Sequence, residues 1–345
     1  MLATITKIIQ FVAIDLIDSL ISSIFFCSFS QYLSFVSSSA GIFSQMILLA
    51  RLVLGESTLV LLLVHFGAMN CIQLLQGVLP AVGLGVYRST AGSETYDAVY
   101  NALKLGYRHF DTAQIYRNEQ DVGSAINQYL QDDSSVTRAD IFITTKVWLN
   151  NFGYESCIES VEESLAKLQT PYIDLVLLHA PGDSATRADT WRALESLQEQ
   201  GLIKDIGVSN FGIPHIEKLS NTWKVKPAVN QIELHPWLQR RELVKYCQDN
   251  GIVVEAYSPL AKATSLEDAT LVRVANSINK TPAEVLIAWS LAKGFVTLPK
   301  SVNPTRQKTN LDAATLILSN EHIAELDTLE EYRTTGWDPV KDAPV

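Results

Sequence analysis

The feature that most constrains this chain is an alternation repeated eight times. From residue 81 onward, short runs rich in apolar and β-branched residues are separated by segments with helical spacing of apolar side chains. The runs fall at 81–87, 107–112, 140–146, 173–179, 203–208, 227–231, 252–257 and 295–299, with starts 24 to 43 residues apart. Helices are expected at 93–105, 119–131, 153–168, 187–200, 212–221, 239–250 and 281–293, then at 303–313 and 319–331. Thr281-Pro282-Ala283-Glu284 is a good helix start, with a capping Thr, Pro in the first turn and Glu three residues after the cap. Gly201, Gly251 and Gly294 stand where helices should stop. The widest gap, before the last run, has room for one extra helix at about 267–279. Residues 72–80 read as a small hairpin with Gly77 near its turn.

Eight strand–helix units fit a (β/α)8 TIM barrel, whose usual size is ~250 residues. The structural alternative is a doubly wound sheet, which normally carries a three-glycine first turn. Here that turn reads Gly83-Leu84-Gly85-Val86-Tyr87-Arg88 and lacks the third glycine. The expected fold is therefore an α/β barrel over 72–345, with an N-terminal β-hairpin and extra helices, preceded by an apolar leader over 1–71.

The leader differs in charge from the rest. Residues 1–75 hold only Lys7, Asp15, Asp18, Arg51 and Glu56 as formal charges. The 32 residues between Asp18 and Arg51 hold none, yet ten of them are Ser, a poor composition for a spanning helix. Asp15 and Asp18 interrupt the more apolar stretch 6–27, and Arg51 and Glu56 interrupt 46–67. Lys7 alone is a weak n-region for a signal peptide. Three readings stand: a membrane anchor, a targeting segment, or a mis-called start upstream of Met69. The last is preferred, because no single segment satisfies a membrane template. The net charge of −10 argues against a nucleic-acid surface. Cys27, Cys71, Cys157 and Cys247 lie too far apart to indicate a disulfide framework or a zinc site.

A barrel of this kind places its chemistry at the strand C-termini. Polar residues recur there: Asp111 with Tyr116 close behind, Lys146, His179, Ser209-Asn210, Gln231, Tyr257-Ser258 and Lys300-Ser301. Each alone has a plain structural reading as an ion-pair partner, a core histidine, a loop aromatic or a turn residue. Their recurrence on one rim is what points to a site. A phenol has an ordinary pKa of ~10, and a nearby ammonium is expected to lower it. Asp111 would hold Lys146 charged, and His179 would donate a hydrogen bond to a carbonyl oxygen. Tyr116 would then protonate that oxygen as a hydride reaches carbon. No Ser elbow or zinc helix is present, and no covalent or metal mechanism is needed.

The motif Gly106-Tyr107-Arg108-His109-Phe110-Asp111-Thr112-Ala113-Gln114-Ile115-Tyr116-Arg117-Asn118-Glu119 resembles the first signature of the aldo-keto reductase family. Leu177-Leu178-His179-Ala180-Pro181, Ile206-Gly207-Val208-Ser209-Asn210-Phe211 and Leu298-Pro299-Lys300-Ser301 resemble its later motifs, in order over about residues 72–340. The resemblance implies Tyr116 as general acid, with Lys146 and Asp111 tuning it and His179 orienting the carbonyl. It implies that Ser209, Asn210 and Gln231 hold a nicotinamide carboxamide, that Tyr257 stacks on the ring, and that Ser258 and Leu260 follow the pyrophosphate. Lys300, Ser301 and Arg306 would meet a 2′-phosphate and Asn310 the adenine, which favours NADPH over NADH. Arg and Lys suit a phosphate dianion.

Some positions depart from the family. Thr309 stands where Glu is common, Ala180 where Trp often follows the His, and Tyr87 where many members have a pocket Trp. The loops after Ala180 and Leu260 are short, so the chain is most similar to microbial and fungal members acting on small or sugar-derived carbonyls. Tyr87, Trp148 and Ala180 are the expected pocket residues, and Trp337 suits pocket or core equally. The implied partner is a small-molecule carbonyl substrate, with a monomer in the cytoplasm as the expected state. A non-catalytic, cofactor-binding redox-sensing subunit and a membrane-anchored reductase are the alternatives.

Overall fold

The computed structural model describes residues 71–345. The three readings of the leader concern residues that lie, Cys71 apart, outside the described ones. Among the described residues no helix is long and apolar enough to cross a membrane.

The described chain opens with the hairpin. β1 (Cys71–Gln73) pairs antiparallel with β2 (Val78–Pro80), with Cys71 opposite Pro80. The Gln73 side-chain amide ties the turn by donating to the carbonyls of Leu74 and Gly77. Eight parallel strands follow: β3 (Leu84–Gly85), β4 (His109–Asp111), β5 (Phe142–Val147), β6 (Ile173–Leu178), β7 (Ile203–Ser209), β8 (Val229–Glu233), β9 (Val253–Tyr257) and β10 (Val296–Leu298). Their order in the sheet is their order in the chain. The ring closes where Val82 bridges Thr297 in parallel, and where the amides of Gly83 and Gly85 donate to the carbonyls of Thr297 and Pro299 at 3.0 and 3.2 Å. The fold is the expected (β/α)8 barrel.

The first strand is shorter than the apolar run 81–87 suggests. It lies on the closing seam and ends in a tight turn, where Ser89 N donates to Val86 O and Arg88 has φ 60°. A Cβ on Gly83 would stand 2.6 Å from His109 Nδ1 and 2.7 Å from Leu298 Cδ2. Gly83 therefore serves close packing inside the ring.

The outer layer is α1 (Ser93–Leu105), α2 (Glu119–Asp132), α3 (Tyr154–Leu168), α4 (Ser184–Glu199), α5 (Ile213–Ser220), α6 (Arg241–Asp249), α7 (Ala269–Ser277), α8 (Pro282–Ala292), α9 (Pro304–Asp312), α10 (Asn320–Asp327) and the short α11 (Pro339–Asp342). α7 is the extra helix for which the last gap left room. α8 begins with the expected capping box between Thr281 and Glu284. α11, at four residues, is too short to show a helical period and was not expected from the sequence.

Alternate strand residues face the helices, where Phe110, Ile143, Val176, Ile206 and Val254 meet Leu103, Ile126, Val161 and Leu286 in one continuous core. The other set faces inward. Part of it is apolar: Phe142, Leu175, Leu177, Val229 and Val296 form a cluster with Leu74 and Leu79 of the hairpin. Each such side chain stabilises the fold by about 1.5–3 kcal/mol on burial. The hairpin packs on this cluster, and Gln76 N donates to both carboxylate oxygens of Asp205 at 3.3 Å. Polar residues share this interior, with His109 in register with Phe142, Lys146 with Leu177 and Glu255 with Val296. His109, Asp111, Thr144, Lys146, Gln231 and Glu255 are all buried there. The expected mostly apolar interior therefore holds only in part.

Candidate active site

The two-residue period of the strands decides which side chains reach the rim. Asp111 ends β4, Lys146 lies one residue inside the end of β5, His179 follows β6, Ser209 ends β7 and Tyr257 ends β9. Tyr116 closes a 3-10 turn, Gln114–Tyr116, after β4, and Arg117 leaves that turn at φ 58°. Gln114 locks the turn to its neighbours. Its side-chain nitrogen donates to Ser160 O at 3.1 Å, while its oxygen accepts from Trp148 N at 3.0 Å and Asn151 Nδ2 at 2.8 Å. Asn118 does similar work one step on, accepting from Thr112 Oγ1 at 2.8 Å and donating to Val86 O at 3.1 Å. Both residues lie inside the first signature, yet type and position alone assigned them no role.

The four residues expected to act together do meet. Lys146 Nζ donates to Asp111 Oδ1 and Oδ2, both at 2.7 Å, and to Thr112 O at 3.0 Å. These three acceptors match the three N–H bonds of an ammonium. The same Nζ lies 5.1 Å from the centre of the Tyr116 ring. That ring stands edge-on to His179 at 5.6 Å between centroids and tilted against Tyr87 at 5.0 Å. Trp148 covers His179 from another side, edge-on at 4.9 Å.

The electrostatics correct one expectation. The ammonium was expected to lower the phenol's pKa. Instead, desolvation in the enclosed site pushes Tyr116 well above its ordinary value, and the charges of Asp111 and then Tyr87 add to the rise. Tyr116 is thus firmly protonated. Burial pushes His179 well below the ordinary histidine value, and the Lys146 charge acts the same way. His179 is therefore a neutral imidazole, and its buried Nδ1 has no hydrogen-bond partner among the described residues.

Residues assigned to the cofactor fall into two groups. Ser209, Asn210, Gln231 and Tyr257 adjoin the cluster of Asp111, Tyr116, Lys146 and His179. Ser209 Oγ donates to Gln231 O at 2.8 Å. Asn210, at φ 63°, donates from Nδ2 to His179 O at 2.9 Å and accepts from Tyr257 Oη at 2.8 Å. The Gln231 side chain points down the barrel, its Nε2 donating to Asp111 Oδ2 at 2.7 Å and to Glu255 Oε2 at 2.6 Å. Ser258, at φ 49°, and Leu260 lead into a loop where Ala261, Lys262 and Ala263 also have positive φ.

The second group lies after β10 and on α9. Ser301 and Asn310 are buried and Thr309 half-buried, while Lys300 and Arg306 are exposed. Asn303 caps α9 by accepting from Arg306 N at 3.0 Å, and the first turn carries no acidic residue. A helix start with two nearby cations and no acid in its own first turn is suited to an anion. That donor set fits the phosphate of a dinucleotide.

Of the expected pocket residues, Tyr87 is 47% exposed and Trp148 half-buried, but Ala180 is fully buried and offers no wall. Trp337 is 53% exposed, with its ring centre 6.4 Å from that of Trp148. It belongs to the mouth and not to the core.

Residues 81–331 match the model of the Aldo/keto reductase family. The chain belongs to that family. Among its aldo/keto reductase relatives is a glyoxal reductase of Bacillus subtilis, 42% identical over 271 residues that cover 78% of this chain and 96% of that protein. Two solved structures share the fold. One is an aldo-keto reductase from a Medee basin deep-sea metagenome library, with TM-score 0.74 and 35% identity over 80% of this chain and 100% of that one. The other is a Bombyx mori aldo-keto reductase in complex with NADP, with TM-score 0.73 and 34% identity over 77% of this chain and 94% of that one.

Proposed function

We propose that this chain reduces small aldehydes or ketones to alcohols with NADPH, using Tyr116 as general acid. The observation that carries the reading is the placement of Tyr116 against the Asp111-bound ammonium of Lys146 and beside His179 at the barrel's C-terminal rim. Such a site can pass a proton to a carbonyl oxygen and hold the developing charge. The relatives support it, since one is named a glyoxal reductase and another was solved with NADP.

A bound nicotinamide cofactor would supply the hydride; the residues described here do the rest. His179 donates its single N–H to the carbonyl oxygen and fixes its position. Tyr116 gives up its proton to the same oxygen, and the adjacent Lys146 charge stabilises the phenolate left behind. Asp111 keeps that ammonium in place. Ser209, Asn210, Gln231 and Tyr257 would hold the nicotinamide end, Ser258 and Leu260 the pyrophosphate, and Lys300, Ser301, Arg306 and Asn310 the phosphorylated adenosine end. Tyr87, Trp148 and Trp337 would supply aromatic walls for the substrate.

The test is NADPH oxidation by the purified chain across a panel of small aldehydes and ketones. Turnover is expected, with a fall of about 10²–10⁴-fold in Tyr116→Phe. Full activity in that variant would remove Tyr116 from the role.

A further inference from the structure

We propose that Glu255 is a positioning residue for proton transfer: a carboxylic acid that keeps its proton and, through the Gln231 side-chain amide, fixes the Asp111 carboxylate beneath Lys146. The positioning role rests on the reading of Asp111, Lys146 and Tyr116 given above; the protonation state does not.

Glu255 sits on an inward position of β9 and is fully buried. Its Oε2 accepts from Gln231 Nε2 at 2.6 Å, and the same nitrogen donates to Asp111 Oδ2 at 2.7 Å. The two N–H bonds of one amide are thus divided between two carboxyl groups. The nearby ammonium, Lys146, gives its N–H groups to Asp111 and to Thr112 O. Two ionised carboxyls here would leave one buried negative charge uncompensated, which a dry interior disfavours.

The other oxygen shows where a proton would rest. Glu255 Oε1 is buried with no hydrogen-bond partner, and His109 Nε2 lies 3.6 Å from it. His109 Nδ1 faces the Pro80 carbonyl at 3.3 Å, and a carbonyl only accepts. A neutral His109 therefore carries its hydrogen on Nδ1 and leaves Nε2 an acceptor, also within 3.2 Å of Thr144 Oγ1. An ionised Oε1 would face a lone pair, whereas a protonated one points its O–H at an acceptor. The groups around Glu255 act in the same direction. Burial and then the Asp111 charge push it up to about 8, with Gln231 and Lys146 opposing, while burial pushes His109 down to about 3.

With Glu255 neutral, the single charge of Asp111 is matched by that of Lys146. Loss of the Glu255 proton places a second negative charge one amide away from Asp111 and draws the Gln231 N–H from it. The titratable groups facing Glu255 are His109 and Asp111 from β4 and Lys146 from β5, so a pH effect assigned to Glu255 must survive comparison with these.

Two measurements on the full chain test the proposal. Infrared difference spectra between native protein and Glu255→Gln at pH 7 should show a protonated carboxyl band in the native protein only; this readout needs no turnover. Absence of the band overturns the protonation state whether or not the chain reduces carbonyls. In steady-state kinetics, Glu255→Leu should lose about 10- to 100-fold in kcat with the carbonyl KM changed less than about threefold. Glu255→Gln keeps an acceptor for Gln231 and a donor toward His109, so it should recover most of that loss. Native protein should lose kcat as pH rises through about 8, and Glu255→Gln should remove that decline. Folded Glu255→Leu with native kcat, or Glu255→Gln with an unchanged pH limb, overturns the positioning role. Lack of turnover in native protein, with the infrared band present, would instead fail the reductase reading and with it the positioning role, leaving the buried acid intact.

Discussion

The ammonium of Lys146 is bound by both carboxylate oxygens of Asp111 at 2.7 Å, with the two side chains 1% and 6% exposed. A pair this deeply buried is neutral as a unit but costly to break, because one partner alone leaves a bare charge in the interior. Lys146→Met is expected to lower unfolding stability by about 3–5 kcal/mol. Adding Asp111→Asn to that variant removes the stranded charge and should recover part of the loss, while activity stays abolished in both. Urea unfolding of the single and double variants checks this. A double variant no more stable than Lys146→Met would mean that the charge is compensated elsewhere.

Much of the barrel was legible because its helices carry clear starts and stops. The segment 93–105 is α1 to the residue, and the capping box placed α8 within one residue. The rim was legible because a polar residue ending an apolar run has few reasons to be there. Two things were hidden. Glu255 lies inside Ile252-Val253-Val254-Glu255-Ala256, which reads as buried strand; the available signal was that a carboxyl in such a run needs a partner, and Gln231 is that partner. The direction of the Tyr116 shift was hidden as well. It depends first on how far the fold desolvates the phenol and then on the nearness of the Asp111 charge, which are matters of placement and not of residue type.

His179 and His109 are both held neutral by burial, His109 at about 3 and His179 well below the ordinary 6.5. Imidazole NMR resonances of the two should therefore not titrate between pH 5 and 8. The sign of the stability effect follows from linkage. As pH falls below about 6.5, the unfolded chain takes up protons at these positions and the folded chain does not, so unfolding becomes easier. Each His179→Gln or His109→Gln substitution should reduce that loss of stability on acidification. A titration of His179 near 6.5 in the folded protein would contradict a neutral donor at the carbonyl.

Arg306 stands in the first turn of α9, exposed, with no acid in that turn to hold it. A charge-assisted hydrogen bond to a phosphate contributes about 1.5–3 kcal/mol. Arg306→Ala should accordingly raise the KM for NADPH by roughly 10- to 100-fold, and it should leave the KM for NADH nearly unchanged because that cofactor lacks the 2′-phosphate. Equal effects on both cofactors would place the side chain on a feature that the two share.

Arg240 ties the C-terminal tail to the barrel. It donates to Asp338 Oδ1 at 2.6 Å, to Tyr332 Oη at 3.1 Å and to Glu233 O at 3.3 Å, and Tyr332 Oη donates to Asp338 Oδ2 at 3.2 Å. Glu233 reinforces the link by accepting from the amide and hydroxyl of Thr335. Trp337 lies between these anchors and rests against Trp148, which itself packs on His179. Arg240→Met strands a buried Asp338 carboxylate, a cost of about 3–5 kcal/mol if the tail stays in place. The tail has little apolar anchoring, so local release is the cheaper response. We expect faster amide exchange at Thr335 and in α11, red-shifted tryptophan emission and little change in global unfolding. The carbonyl KM should rise with kcat less affected, because the mouth loses a wall while Tyr116 and Lys146 keep their partners. Unchanged exchange at Thr335 would show that the contacts to Glu233 and Lys262 hold the tail without Arg240.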